Sequence, residues 1–298
     1  MAPINRPRGY VVSDEEYSNT FKNLFGNKLT AKEILTFTTI YFEDDDGPEA
    51  FWEKIKASND FDDKKIEVAK KLLAFNMIFD NHPQMAGFLY DKQATDPNFK
   101  HIRCFANNRV EDWQRQLAEA KISTFPNNVV GKNTTEKIEI YAAHLEQLFK
   151  NLYPTPFFSA RMQQDKSSSF AQKEQLKTFF DNNPEFDLKT KIILLKMETA
   201  NFGGITNKGK LKNELKIINN LYKITDDYKL VNALYSKKLF TSKDIVNKYK
   251  MEQFVLEFSS VIGAKEKLSK SYKKAISINN KTTALITAYK MRNDIRLN

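Results

Sequence analysis

Between Asn133 and Pro154 the residues Ile138, Tyr141, Ala142, Leu145, Leu148, Phe149 and Leu152 recur at intervals of three and four, which lines them along one stripe of a helix. Asn133 and Glu136 supply the two halves of a capping box at its start, and Pro154 stops it. Nothing in the rest of the chain contradicts this style. Only nine glycines and nine prolines occur in 298 residues, roughly half the usual density of each, so tight turns are few and long uninterrupted segments are favoured. Strand alternation joined by Asn-Gly or Asp-Gly turns is missing from the sequence. An all-α protein of about ten to twelve stacked, antiparallel helices follows.

Other helix ends are equally marked. Ser13-Asp14-Glu15-Glu16 is a capping box with Val12 and Tyr17 in staple positions, and Gly26 follows the apolar pair Leu24 and Phe25. Thr30-Ala31-Lys32-Glu33 repeats the box ahead of Thr36 to Phe42, a run that fits either strand or buried helix and is read as helix. Residues Asp62 to Asp80 place Ile66, Ala69, Leu72, Leu73 and the run Asn76 to Phe79 at helical spacing, ending before Pro83. Thr241 with Asp244 opens a further helix, whose face of Phe254, Val255, Phe258, Val261 and Ile262 runs to Gly263. Pro154, Pro156 and the Lys166-Ser167-Ser168-Ser169 stretch interrupt the pattern between Tyr153 and Ser169. They divide the chain into subdomains 1–152 and 153–298, or mark a bend within one continuous α-helical domain.

Charge follows the same division. Residues 151–298 carry 27 Lys/Arg against 14 Asp/Glu, whereas residues 1–150 carry 20 against 23. The basic half could meet nucleic acid or an anionic membrane surface, or could simply be a lysine-rich solvated face, because its lysines sit between core positions and form no compact run. Cys104 is the sole cysteine, which excludes an intramolecular disulfide and a cysteine-based zinc site. No apolar run approaches the roughly 18 residues of a membrane span, and the opening MAPINRPRGYVV lacks the apolar centre of a secretory signal.

Chemistry-bearing patterns are few. Gly204, Gly209 and Lys210 match the spacing of a phosphate-binding loop, but Leu211 stands where a hydroxyl should hold magnesium. The preceding Ile192 to Leu195 could be strand, yet Leu188, Ile192, Leu195 and Thr199 share helical spacing, so the glycines read as a helix-to-helix turn. Glu43-Asp44-Asp45-Asp46-Gly47 with Glu53 imitates a calcium loop whose first ligand would be Phe42; acids ahead of Pro48 at a helix start explain it better. His82, His101 and His144 form no metal-binding pair. His144, beside the apolar stripe, reads as a partly buried packing residue, and Cys104, three residues from His101, as a buried structural thiol. No serine elbow exists. The expectation is a non-enzymatic chain with no catalytic, cofactor or metal site and no small-molecule substrate.

Beyond Thr135 the segments resemble, in their order, the α-helical N-terminal region of Tc toxin A components. Residues 150–162, KNLYPTPFFSARM, look like that family's helix end and its aromatic-Pro-Thr segment, and residues 179–188, FFDNNPEFDL, look like its Asn-Pro and Phe-Asp-Leu segment. Leu221 to Thr225, Ala233-Leu234-Tyr235, Leu239 to Ser242, Ile245 and Phe254 follow in similar order. In the first half, Phe51-Trp52-Glu53, the Leu72-Leu73 helix running to His82-Pro83, and Asp112-Trp113 with Leu117 are similar to its earlier helices. The resemblance implies a segment of the helical shell around a pentameric translocation channel, in a secreted, homo-oligomeric assembly whose other subunits and domains are its partners. It carries over no catalytic residue. Physically, Pro154 and Pro156 end the stripe helix, Phe157 and Phe158 plug the corner, Asn183-Pro184 forces a turn, and Asp187 caps the helix that follows.

Overall fold

A computed structural model describes residues 14–43, 47–79 and 81–296 and shows an all-α protein: fifteen α-helices and three short 3-10 turns, with no strand among the described residues. The capping-box residue Ser13, its neighbour Val12, the acids Asp44, Asp45 and Asp46, and Asp80 lie outside them. The chain divides into two compact units, Met1–Leu148 and Phe149–Asn298.

The first unit contains α1 (Asp14–Phe25), α2 (Ala31–Glu43), α3 (Pro48–Ala57), α4 (Asp63–Ile78), α5 (Pro83–Thr95), α6 (Val110–Glu119) and most of α7 (Thr134–Leu152). The ambiguous run Thr36 to Phe42 is helix, because Ile34, Phe37 and Tyr41 at helical spacing all reach the core. Phe37 is the hub of that core. Its ring meets Phe21, Phe25 and Phe51 edge-on at centroid distances of 5.1, 4.9 and 5.2 Å, and Trp52 tilts against it at 6.1 Å. Such offset contacts add to the burial energy of rings that are already dry.

The capping boxes form as the sequence spaces them. Thr30 Oγ1 accepts the Glu33 N–H at 3.3 Å, and Glu33 Oε2 accepts the Thr30 N–H at 2.8 Å. Asn133 Oδ1 takes the Glu136 N–H at 2.9 Å, although Glu136 reaches back one residue further, to the N–H of Lys132. Pro48 occupies the first turn of α3 behind Gly47, whose φ of 100° suits only glycine.

The second unit contains α8 (Pro154–Gln164), α9 (Lys173–Asn182), α10 (Ile193–Glu198), α11 (Lys208–Tyr222), α12 (Tyr228–Ser236), α13 (Ser242–Lys248), α14 (Met251–Ile262) and α15 (Lys265–Arg296). Phe158, Leu176, Phe179, Leu215, Leu234, Phe254 and Leu268 belong to one buried cluster. Three expectations change here. Pro154 and Pro156 do end the stripe helix, but much of the interruption after them is itself helix: both sit in the first turn of α8, where a missing N–H costs nothing. The segment from Thr241 to Gly263 is two helices, because Tyr249 and Lys250 are extended and Gln253 re-caps the chain by accepting the Lys250 N–H at 3.0 Å. Tyr249 turns its ring onto Phe254 and Phe258, and its carbonyl accepts the Tyr272 hydroxyl.

The third change concerns residues 187–199. Helix begins only at Ile193, so Leu188, Ile193 and Met197 are buried while Ile192, Leu194 and Leu195 are more than half exposed. Asp187 caps no helix; its carboxylate accepts the Lys189 N–H in a turn. Breaks that lack a glycine or proline signal, as at Tyr249, explain why the helices outnumber the ten to twelve expected.

Both tryptophans, Trp52 and Trp113, lie in the first unit, so intrinsic fluorescence isolates its unfolding. Phe37→Ala should lower that transition by about 3–5 kcal/mol through the cavity it leaves. Denaturant titration followed by tryptophan emission measures it.

Candidate functional site

The phosphate-loop look-alike is a strapped turn. Asn207 Oδ1 accepts the Lys210 N–H at 3.0 Å and so caps α11, using a donor that a phosphate would need. Leu211 is fully buried and Lys210 is exposed. Gly204 turns the chain at a φ of 73°. The loop is tied to α9: Asn182 donates to the Gly203 carbonyl at 2.8 Å, Asn183 donates to the Asn201 carbonyl at 2.7 Å, and the Asn201 N–H returns to Asn183 Oδ1 at 2.7 Å. The helix α10 stands upstream where a phosphate loop needs a strand.

The histidines do separate things. His82 is buried at the start of α5, where its Nδ1 accepts the Met85 N–H at 3.1 Å and its Nε2 lies 2.7 Å from the Thr124 carbonyl. A carbonyl only accepts, so the proton sits on Nε2 and the ring is neutral. Its face stacks on Tyr141 with centroids 5.6 Å apart. Burial pushes its pKa below the ordinary 6.5 despite the Thr124 contact. His144 is exposed rather than partly buried, because it stands one residue before Leu145 and about 100° round α7 from it. His101 is exposed, and its carbonyl accepts the Cys104 N–H at 2.8 Å; Cys104 is half-buried rather than fully buried. Among the described residues no group of three His, Cys, Asp or Glu side chains could hold a metal ion, and no helix is long and apolar enough to cross a membrane. Glu53 is exposed on α3.

The most concentrated polar chemistry is a cluster that the sequence disguises as a linker. Residues 165–172, containing Lys166-Ser167-Ser168-Ser169, are gripped by α11 and α12. Asp165 Oδ1 accepts the Ser167 N–H at 2.8 Å and its hydroxyl at 2.7 Å, while Oδ2 accepts the Tyr228 hydroxyl at 2.8 Å and the Asn232 amide at 3.4 Å. Asn232 Oδ1 takes the Ser169 N–H at 2.8 Å. Glu214, buried on α11, accepts the Gln172 N–H at 3.3 Å and the Tyr235 hydroxyl at 3.1 Å. Phe170 fills the space beside them, 5.5 Å from Phe158 and 4.7 Å from Tyr235.

The two carboxylates differ electrostatically. Burial opposes charge on Asp165, but hydrogen bonds from Ser167 and Tyr228 and the nearby Lys173 ammonium outweigh it and hold the carboxyl below its usual range. On Glu214 burial dominates and pushes the pKa up in spite of the Gln172 and Tyr235 donors. Burial, reinforced by Glu214, pushes the Tyr235 phenol up to about 12. Such perturbation is common at active sites, yet structural networks produce it too. Here the acceptors serve backbone N–H groups of the α8–α9 connection, so the cluster's evident work is to fix that connection. The only sequence sign of it was Asp165 two residues before Ser167, an Asx-turn pattern; Glu214 could be suspected only from its place among Leu211, Leu215 and Ile218.

Glu214→Gln keeps an oxygen for Gln172 and removes a buried charge. At pH 7 it should hold or raise the midpoint of thermal unfolding followed by circular dichroism, whereas Glu214→Ala should cost about 1–3 kcal/mol by orphaning the buried donors. His82 gives a pH signature. Its folded pKa is depressed, so its contribution is complete above about pH 6.5 and is lost as the pH falls below that and the unfolded chain takes up a proton. Between pH 7.5 and 5.5, the tryptophan-reported transition should therefore weaken more in the native chain than in His82→Asn, which retains a capping oxygen.

No family model, curated protein or solved structure matches this chain.

Proposed function

We propose that the chain is a non-enzymatic structural module: a stack of helices that forms part of a larger helical assembly, of the kind found in the shell of the Tc toxin A components that residues 150–162 and 179–188 resemble. One observation carries this reading. The polar side chains that first suggest chemistry, Asn207, Asp165, Glu214 and His82, act on backbone groups of this same chain as caps and clamps. Their arrangement holds short connections in place, which supports a structural role.

The resembling segments serve the same end. Phe158 of the Pro-Thr-Pro segment meets Phe170, Tyr222 and Tyr228 edge-on at 5.5, 5.7 and 5.6 Å. Phe179 and Phe186 of the Asn-Pro segment meet at 4.9 Å across the turn that Asn183 and Pro184 make. Secretion in company with other toxin subunits belongs to the same proposal.

An antibody to this segment, applied to the producing cell, should detect a native polypeptide or stable complex several times larger than 34.6 kDa. Intact mass and size-exclusion profile read it. A sole species at the monomer mass, with no associated chains, would remove the assembly reading.

A further inference from the structure

Helix α15 runs for 32 residues, but only its first half is seated. Leu268, Ser271, Tyr272 and Ala275 are buried in the second unit, where α15 packs against α13 and α14. From Asn280 to Arg292 every side chain is exposed, Leu285 at 72% and Tyr289 at 69%. The helix is therefore uncovered for about 20 Å along its axis.

Its pattern does not change where its cover ends. Leu268, Ala275, Thr282 and Tyr289 recur every seven residues, with Ser271, Ile278 and Leu285 between them. That spacing of three and four is a helix-docking seam, narrower than the broad apolar face of a helix lying on lipid. The seam is occupied by helices over its first two repeats and empty over the next two. Ile286 widens the uncovered part.

Charge names the occupant. Lys267, Lys274 and Lys281 precede successive seam positions, Lys290 follows Tyr289, Arg292 stands at the next seam position, and no acidic residue occurs from Lys267 to Asn293. Residues 280–292 alone would be marginal as a helix in water, and no Glu–Lys pair lies among them to support it. In the covered half a lysine of the row already faces an acid: burial opposes the Asp226 charge, but Lys150, Lys189 and Lys274 outweigh it and hold that carboxyl low. A second copy of the seam would set lysine against lysine.

We infer that the projecting half of α15 docks an acidic amphipathic helix of a partner chain, whose apolar seam lies on Thr282, Leu285, Ile286 and Tyr289 and whose carboxylates face Lys281, Lys290 and Arg292. This deepens the proposed assembly role by stating what the module meets, and it rests on that reading.

The probe is a synthetic helical peptide of four heptads with Ile and Leu in the seam and Glu on both flanks, titrated by fluorescence anisotropy against the full chain. The Glu peptide should bind, weakening as salt rises, and the same peptide with Lys flanks should bind about tenfold more weakly or worse. Leu285→Asp should reduce binding of the Glu peptide by about tenfold with an unchanged melt, since that side chain is 72% exposed. Lys281→Glu with Arg292→Glu should reverse the preference. Failure of the Glu peptide to bind, equal binding of both peptides, or indifference to Leu285→Asp overturns the inference. So does sedimentation with phosphatidylcholine–phosphatidylserine vesicles in its place, which would assign the stripe to lipid, or concentration-dependent dimers lost in Leu285→Asp, which would assign it to a second copy. The native-mass experiment can fail while the peptide binds, and the reverse, so the two readings are separable.

Discussion

Every α-helix leaves four N–H groups at one end and four carbonyls at the other without partners inside the helix. A chain with many short helices multiplies those ends, and one poor in glycine has few backbone conformations with which to satisfy them. In the second unit side chains satisfy them instead, and α11 carries the two on which the others depend. Glu214 reaches forward to the start of α9 and across to α12. One turn and a residue later Asn219, fully buried, donates to the carbonyls of Leu188 at 2.7 Å and Thr190 at 3.0 Å. Both connections that flank α9 are thus held from a single helix. Their polarity is tolerated in a dry interior because Glu214 accepts a backbone N–H and the Tyr235 hydroxyl, and the Asn219 amide donates to two backbone carbonyls.

This division of labour decides which parts of the fold could be read in advance. Caps act within three residues, so Thr30 with Glu33 and Thr241 with Asp244 were legible as pairs of letters. The α7 stripe was legible for the same reason, since Tyr141, Ala142, Leu145 and Phe149 need only the helical period to share a face. What escaped depended on distant residues. Helix α10 buries Ile193 and Met197 because the turn at Leu188 is clamped by Asn219, 31 residues away, and no local pattern records that. Likewise the serine-rich stretch after Asp165 looks like a linker until Asn232 and Glu214 are brought to it.

The near-match to a phosphate loop shows the same physics from the other side. A phosphate site needs backbone N–H groups left free at a helix start, and a stable helix start wants them satisfied. Asn207 resolves that competition in favour of the helix, and Leu211 adds core burial where chemistry would need a hydroxyl. Spacing alone could not distinguish the two outcomes; the identity of the residue after Lys210 could. The basic surplus is weaker evidence than it first seems for a similar reason. Several lysines of the second unit are engaged with acids of that unit, Lys150 with Asp226 at 3.1 Å, Lys177 with Asp181 at 2.6 Å and Lys237 with Glu257 at 2.5 Å, and exposed pairs such as the last two contribute little to stability.

Of the basic residues that remain, α15 carries nine Lys/Arg against only Glu266 and Asp294. The seam of α15 is continuous in sequence but divided in environment: its first half buries Leu268, Tyr272 and Ala275, and its second half leaves Leu285, Ile286 and Tyr289 in water. Scattered exposed apolar residues need no explanation, but a contiguous row in register with a buried one does. The row extends the spacing that already packs α15 on α13 and α14, and its flanks carry one sign of charge over 27 residues. Side chains chosen only for solvation would alternate signs and drop the register. Retaining both is what a helix does when the partner for its second half, like that for its first, is another helix.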